Sequence, residues 1–402
     1  MQKFKHYLAV SLSVAVLLSA CKKDEEEPTP TPTPTPSGNV VVTDNITTNT
    51  TWSSENVYQL GGRITVTNGA TLTIEAGTII KGEAGTGANA TALIIARGGR
   101  LLANGTADAP IIFTSVADEI SPADIAAGDF ASPNLDPNIN GLWGGVIILG
   151  RAPISASNAN GDISEVQIEG IPTSDPNGLY GGNDPNDDSG EIRYISIRHG
   201  GTNIGSGNEI NGLTLGGVGS GTVIENIEVV ANQDDGVEWF GGSVNVTNVV
   251  VWNAGDDAID TDQSWSGTLD NFVIVTPAGH CFELDGPEGS SVAGHTIRNG
   301  SVVASNEDIT SGDLINTDDN SVVNLIDIYF TGIAEGQMIN RVVHTVGVVN
   351  FTNIILNVNQ ADLGNYVNGD VPAGVVAGTT PQADVTVFGW TWASQAGGLQ
   401  GL

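Results

Sequence analysis

The chain has 402 residues, 53 of them glycine, and carries 46 acidic against 13 basic side chains, a formal net charge of −33. That balance excludes nucleic acid and anionic lipid headgroups as partners held by charge. Aromatic residues make up only 5%, and from Asn39 onward short Val/Ile/Thr runs alternate with Gly, Asn and Asp, which is the composition of an all-β protein.

At the amino terminus, Lys3 and Lys5 precede an apolar or small run from Tyr7 to Leu18, closed by Leu18-Ser19-Ala20-Cys21. The order predicts a secretory signal peptide over residues 1–20, and the apolar run of about a dozen residues is short of the roughly 20 that a membrane-crossing helix needs. The tetrapeptide resembles the lipobox of bacterial lipoproteins, which implies that Cys21 is lipidated and anchors the chain to a membrane. Only Cys281 then remains, so no intramolecular disulfide is expected. Residues 21–38 read as a disordered tether. Lys22-Lys23-Asp24-Glu25-Glu26-Glu27 is followed by proline at every second position from Pro28 to Pro36, extended at roughly 3.1 Å per residue to about 28 Å. The lysine and acidic residues behind the cysteine resemble the surface-export signal of Bacteroidota lipoproteins, which implies an outer-membrane location exposed at the cell surface.

Residues 39–402 read as repeats. Ile64–Ile80 and Ala92–Thr106 alternate strands with Gly turns, Pro110–Thr114 ends a coil, and Trp143–Leu149 reads as a buried strand. Ile192–Ile197 opens a series in which Ile224–Val230, Val246–Trp252 and Leu269–Val275 align without gaps, at steps of 22 and 23 residues. Twelve residues after the asparagine of each stands an acid: Glu238, Asp260, Glu283. Arg298–Val303, Leu325–Phe330 and Asn353–Leu356 continue the series. Such a period predicts a right-handed parallel β-helix, a solenoid with coils of roughly 22–28 residues. Ile227, Val249 and Phe272 are expected to stack inside, with Val229, Val251 and Ile274 beside them. Asn226, Asn248, Asn271 and Asn299 are expected to form a turn ladder joined by their amides. The Asp/Asn/Pro/Gly-rich stretches near 116–140 and 155–190 are expected as surface loops, and residues 383–402 as a cap over the last coil.

The same alignment gives three acidic columns. Asp235, Asp257, His280 and Asp313 share one phase; Glu238, Asp260, Glu283 and Asn316 a second; Phe240, Asp262, Asp285 and Asp318 a third. Val237, Ile259, Phe282 and Ile315 alternate inward between them, so the second and third columns share an outer face. Like charges about 4.8 Å apart repel by roughly 3.5 kcal/mol at an effective dielectric near 20, or roughly 0.9 in water. Bound Ca²⁺, raised pKa values or full solvation would each relieve this, and Asp/Gly turns also serve turn chemistry alone. Calcium is accordingly the candidate cofactor, with Glu238, Asp260, Asp262, Glu283 and Asp285 as candidate ligands. A second candidate is the loop Asp184-Pro-Asn186-Asp187-Asp188-Ser-Gly190, with Asp184, Asn186 and Asp188 at alternate positions, although its spacing is not that of an EF-hand. Trp239, Trp252 and Trp265 are candidate sugar-stacking aromatics, Trp239 in an inward phase. Cys281 and His295 read as packing residues.

Asn232-Gln-Asp234-Asp235-Gly236, Gly255-Asp256-Asp257 and Gly279-His280 resemble successive coil motifs of polygalacturonase-type β-helix glycosidases. The resemblance implies Asp234, Asp235, Asp256 and Asp257 as general acid and base with His280 in support. The basic residues that hold a uronate in that family have no counterpart here, where Asp313, Leu314 and Ile315 stand. As a whole the chain resembles the surface β-helix lipoproteins of Bacteroidota within the pectin-lyase-like superfamily. The resemblance implies fold and location, not a reaction. Two expectations follow: a surface module that binds a glycan or another surface component with calcium on its acidic face, or a polysaccharide hydrolase or calcium-dependent lyase built on the Asp/His constellation.

Overall fold

The computed structural model describes residues 38–205 and 210–402. The expected signal peptide, the expected lipidation site Cys21 and the expected tether as far as residue 37 lie outside the described residues. The rest is a right-handed parallel β-helix with two large parallel sheets, of nine and fifteen strands. No helix among the described residues is long and apolar enough to cross a membrane.

The long sheet covers two sides of the solenoid because its strands bend in the middle. Gly190–Arg198, Val223–Val230, Val246–Trp252, Thr268–Val275 and His295–Val303 each contain one residue with left-handed backbone: Tyr194, Asn226, Asn248, Asn271 and Asn299, at φ between 51° and 61°. Asparagine tolerates this conformation better than other residues with a Cβ. Its amide also links coils: Asn248 Nδ2 donates to Asn226 Oδ1 at 3.0 Å and Asn271 Nδ2 to Asn248 Oδ1 at 2.8 Å. Asn299 departs from the expected ladder and donates to Asp270 Oδ1 at 2.6 Å.

Between the bends, register follows the repeat. Ile227 pairs with Val249 and Val249 with Phe272, all fully buried in the interior. The next partner is Gly300, where a Cβ would lie 1.9 Å from Phe272 Cζ, so the ring fills the space that glycine leaves. Trp239 and Trp265 belong to this interior too, stacked with ring centroids 4.7 Å apart. This corrects their assignment as sugar platforms: alternation from Val237 carries Trp239 inward, and Trp265 follows it. Trp252 is half-buried against Trp392.

Two excursions and the tail pack on the outside of the sheets. The segment near 155–190 forms two small antiparallel hairpins whose Ile168, Ile171 and Tyr180 cover Ile147, Leu149 and Phe240 on the outer face of the nine-stranded sheet. The segment near 116–140 contains a helix, Pro122–Ala127, which the sequence reading lacked. Ser121 at its N-cap and Asp124 form a capping box with Pro122 at the first position, a local signal strong enough for one short turn. The tail also differs from expectation. Trp390, Trp392 and Phe388 run back along the outer face of the long sheet, against residues as early as Ile79. At the end of the solenoid Leu363 and Val367 join the core instead.

Candidate functional site

The nine-stranded sheet carries the acidic columns in the expected register. Glu238 pairs with Asp260, Asp260 with Glu283 and Glu283 with Asn316, on the strands Val237–Phe240, Ile259–Asp262, Phe282–Leu284 and Ile315–Thr317. Their neighbours Val237, Ile259, Phe282 and Ile315 are buried in the interior, which turns the carboxyls outward. The outer face is not open along its whole length, however. Glu238 is 6% exposed beside the 155–190 excursion, while Asp260 and Glu283 are half-buried.

The preceding turn brings in the first column. Asp257 N–H donates to Asp235 Oδ1 at 2.9 Å, His280 N–H donates to Asp257 Oδ1, and Met338 N–H donates to Asp313 Oδ1 at 3.2 Å. Each of these acids thus ties its coil to the backbone of the next, a structural task that Asp/Gly turns are suited to. Asp257 has further neighbours: His280 Nδ1 stands 3.1 Å from its Oδ1, and a Glu283 oxygen lies within 4.8 Å of its carboxylate. Gly279 makes the approach possible. A Cβ there would lie 2.3 Å from Asp256 Oδ1 and 2.5 Å from Asp257 Oδ1.

Three groups result, in each of which one ligand atom per residue lies within 4.8 Å of the others: Asp234, Asp235 and Asp256; Asp235, Glu238 and Asp260, which share Asp235; and, separate from these two, Asp257, His280 and Glu283. The first includes the exposed Asp256 and the half-buried Asp234, so the band reaches solvent there. Asn211 adds an amide to the second. It is 2% exposed, its Nδ2 donates to Glu238 Oε2, and its Oδ1 has no hydrogen-bond partner. Asn211 escaped the sequence reading, yet Leu213 pairs with Val237, so Asn211-Gly212 repeats the phase of Asp235-Gly236. That was the available signal.

Burial and neighbouring acids push the carboxyls upward. Asp235 is raised well above the ordinary range by burial and then by Asp234 and Asp257; Asp260 by burial and then by Glu238 and Asp235; Glu238 by burial and then by Asp235. Glu283 is pushed up to about 8, first by its hydrogen bond with Asp257 and then by burial. On the flank, burial foremost raises Asp262 to about 7 and Asp285 to about 6. Asp257 goes the other way. Burial raises it, but hydrogen bonds with His280 and Glu283 outweigh that and hold it below the ordinary value. His280 is raised, chiefly by its bond to Asp257.

The structure therefore brings together Asp234, Asp235, Glu238, Asp256, Asp257, Asp260, His280 and Glu283, with Asp262 and Asp285 beside them. It does not assemble the loop at Asp184, Asn186 and Asp188, which is a correction. Asp184 Oδ1 accepts the N–H of Asn186 at 3.1 Å, Asn186 Oδ1 accepts from Ser220 at 3.2 Å, and Asp188 pairs with Arg100 at 2.8 Å. An aspartate neutralised by a guanidinium is a poor cation ligand.

Oxygens that share a calcium ion at about 2.4 Å lie no more than about 4.8 Å apart, which the three groups satisfy. Paired carboxyls for glycoside hydrolysis stand about 5–5.5 Å apart when retaining and about 6.5–9.5 Å when inverting, whereas ligand oxygens of Asp257 and Glu283 lie within 4.8 Å of each other. An open recess of about 400 Å³ lies at the His280 end of the band, lined by Ser311, Gly312, Asp313, Glu335 and Gln337.

A family model described as a pectate-lyase-like beta helix domain matches residues 44–128 and 130–387. No curated protein and no solved structure matches the chain.

Proposed function

The chain belongs to the pectate-lyase-like β-helix domain family, a fold that fits a protein binding or acting on a polysaccharide, and from that premise we propose that it is a glycan-binding surface protein whose acidic band works with calcium. The observation that carries the reading is the cluster of Asp234, Asp235, Glu238, Asp256 and Asp260, two groups of ligand atoms within 4.8 Å that share Asp235, with Asp257, His280 and Glu283 forming a third group. The charges that act on Asp235, Glu238 and Asp260 come from other acids. A divalent cation relieves that repulsion and presents open coordination positions to sugar hydroxyls. Asp234, Asp235, Asp256, Asp260, Glu238 and the unpartnered carbonyl of Asn211 are the oxygen donors that fit such an ion. The lipid anchor on Cys21 and the proline-rich tether belong to the same proposal and place the solenoid outside the cell.

One observation favours the enzyme reading as the second choice. Asp257 is held ionised while Glu283 beside it is pushed up to about 8, and neighbouring carboxyls of opposite protonation are the pattern of an acid and base pair. Their ligand oxygens lie within 4.8 Å, closer than the carboxyl spacing of either hydrolytic mechanism, which ranks this reading second.

The test is binding and turnover on a glycan library by the full chain carrying Cys21→Ser, with and without chelator, against the double variant Asp256→Asn/Asp257→Asn. Calcium-dependent binding that the variant loses supports the proposal. Binding unchanged in chelator removes calcium from it, and reducing ends released by the wild type but not the variant would establish the enzyme.

A further inference from the structure

Beyond residue 37 the chain has only nine Lys and Arg side chains, and two of them, Arg97 and Arg151, line a groove far in character from the acidic band. The groove runs between the 155–190 excursion and the turns of the early coils. Its main part is a cleft of about 680 Å³ lined by Asn68, Arg97, Arg151, Glu165, Asn177 and Asn183 among others. A second recess of about 310 Å³, lined by Ser155, Asp162, Ser164 and Ser291, shares Gly182 and Asn183 with it, so the two adjoin.

Arg97 and Arg151 differ in what they do. Arg97 Nη1 donates to Glu165 Oε1 at 2.7 Å and to Gly181 O at 2.9 Å, which neutralises Glu165 and fixes the excursion as a wall. Arg151 is exposed, and its guanidinium makes only two long contacts, from Nη2 to Asn68 Oδ1 and to Arg97 O, both at 3.4 Å. Among the described residues its remaining guanidinium N–H groups have no hydrogen-bond acceptor, although Asp184 also lines the cleft and Asp187, which accepts the Arg151 main-chain N–H, feels the guanidinium charge. The side chain is nevertheless held in place. Gly98, at φ +78°, leaves room that a Cβ would take away, since it would lie 2.5 Å from Arg151 Nη2. A Cβ at Gly182 would likewise lie 2.7 Å from the Arg151 carbonyl oxygen, so glycine there lets the two backbones approach. At the other end Ser155 is 2% exposed and its Oγ lacks a partner.

A positioned guanidinium with unused donors is suited to a carboxylate or sulfate, which it binds through paired N–H bonds. Amides and hydroxyls along a channel of this size match the hydroxyls of a chain of sugars. We propose that this groove is a second binding site, which takes an acidic saccharide with its charged group on Arg151 and its neutral portion extending toward Ser155. The proposal rests on the glycan reading of the fold but not on the acidic band. The two sites then divide the work by charge, the band taking glycan through a cation and the groove through a guanidinium.

The experiment is calorimetric titration in chelator of the full chain carrying Cys21→Ser, with three probes: a uronate tetrasaccharide, its carboxyl-reduced neutral counterpart, and a sulfated neutral tetrasaccharide. A charged probe is expected to bind at least about tenfold more tightly than the neutral one, and Arg151→Gln to remove that advantage without moving the melting temperature. Gly98→Ala should weaken the same probe by displacing the guanidinium. The uronate and sulfated arms show which anion the site takes. Equal affinity for charged and neutral probes, or undiminished binding by both variants, overturns the groove alone. Failure of all three probes in chelator overturns the groove, while the calcium-dependent glycan reading falls only if the same probes also fail with calcium present.

Discussion

Asp260 stands opposite Glu238 on the adjacent strand, and after burial the charge of Glu238 is the strongest influence raising its pKa. The relationship repeats along the band and sets how stability must vary with pH. Asp235, Glu238, Asp260, Asp262, Glu283 and Asp285 all have folded pKa values above their ordinary ones. A group raised on folding contributes stability that is full below its unfolded pKa and is lost as pH rises through its folded pKa. The window accordingly opens near the ordinary carboxylate range and runs through about 6 for Asp285, about 7 for Asp262 and about 8 for Glu283. His280, also raised, adds in the same direction, while Asp257, held low, loses its contribution only in acid. Scanning calorimetry in chelator should show the melting temperature falling from pH 5 to pH 8.5; a flat or rising profile would contradict the ladder.

Asp260→Asn separates the cost of the band from its use. Removing one carboxyl relieves repulsion on Glu238, Asp235 and Glu283, and in chelator near neutral pH the variant should gain about 1–2 kcal/mol in denaturant unfolding. Calcium at a hundred times its dissociation constant should stabilise the wild type by about 2.7 kcal/mol. The variant should lose most of that gain. If both chains respond equally to calcium, the ion sits elsewhere.

Much of this band was legible from the repeat, because gapless alignment at 22 and 23 residues fixes strand register, and register places Glu238, Asp260 and Glu283 on one face. The cover over Glu238 was not legible. The excursion that brings Glu169 near Glu238 reads as a polar loop, although its Ile168 and Ile171, with Ile163 and Val166 packed against the same cluster, cover the sheet at Ile147, Leu149 and Phe240. Trp252 illustrates the same gap: its outward position follows from the strand, but its partner Trp392 arrives from the far end of the chain. Local pattern carries no information about which distant segment lies on an outer face. The asparagine ladder was readable for the opposite reason, since the residue type, its left-handed backbone and its partner one coil away all obey the same period.

Gly279→Ala tests whether the turn holds Asp256 and Asp257 for function. The added Cβ would lie 2.3 Å and 2.5 Å from their Oδ1 atoms, so the carboxylates must move while the strand Phe282–Leu284 can stay paired. The expected outcome is calcium-dependent glycan binding reduced at least about tenfold, with a destabilisation of about 1–3 kcal/mol. Binding that survives unchanged would place the ligand away from this turn.

Asn248 is the middle rung of the ladder, donating to Asn226 and accepting from Asn271. Asn248→Ala loses both bonds and keeps a Cβ at φ 60°, which together should cost about 2–4 kcal/mol in urea unfolding. Asn248→Gly relieves the backbone but not the bonds and should recover about 1–2 kcal/mol of that. Equal costs for the two would mean that backbone strain plays no part.

The tail is held by a buried charge, and that suggests the most discriminating pair of variants. Glu228 Oε1 accepts the N–H of Ala393 at 2.9 Å, while its Oε2 accepts from Ser196 at 2.5 Å and stands 3.5 Å from Arg198 Nη2. Arg198 and Glu228 have no exposed side-chain surface, and Trp392 stacks 5.1 Å from the guanidinium carbon. Glu228→Gln keeps the size and an acceptor for Ala393 but strands the Arg198 charge, which should cost about 3–5 kcal/mol. Arg198→Met/Glu228→Leu removes both charges and should come within about 2 kcal/mol of the wild type, because the desolvation cost disappears with the pair. Proteolysis near residue 382 gives an independent readout: the single variant should release the tail at lower denaturant than the double variant. The reverse order would show that the tail is held by Trp390, Trp392 and Phe388 alone.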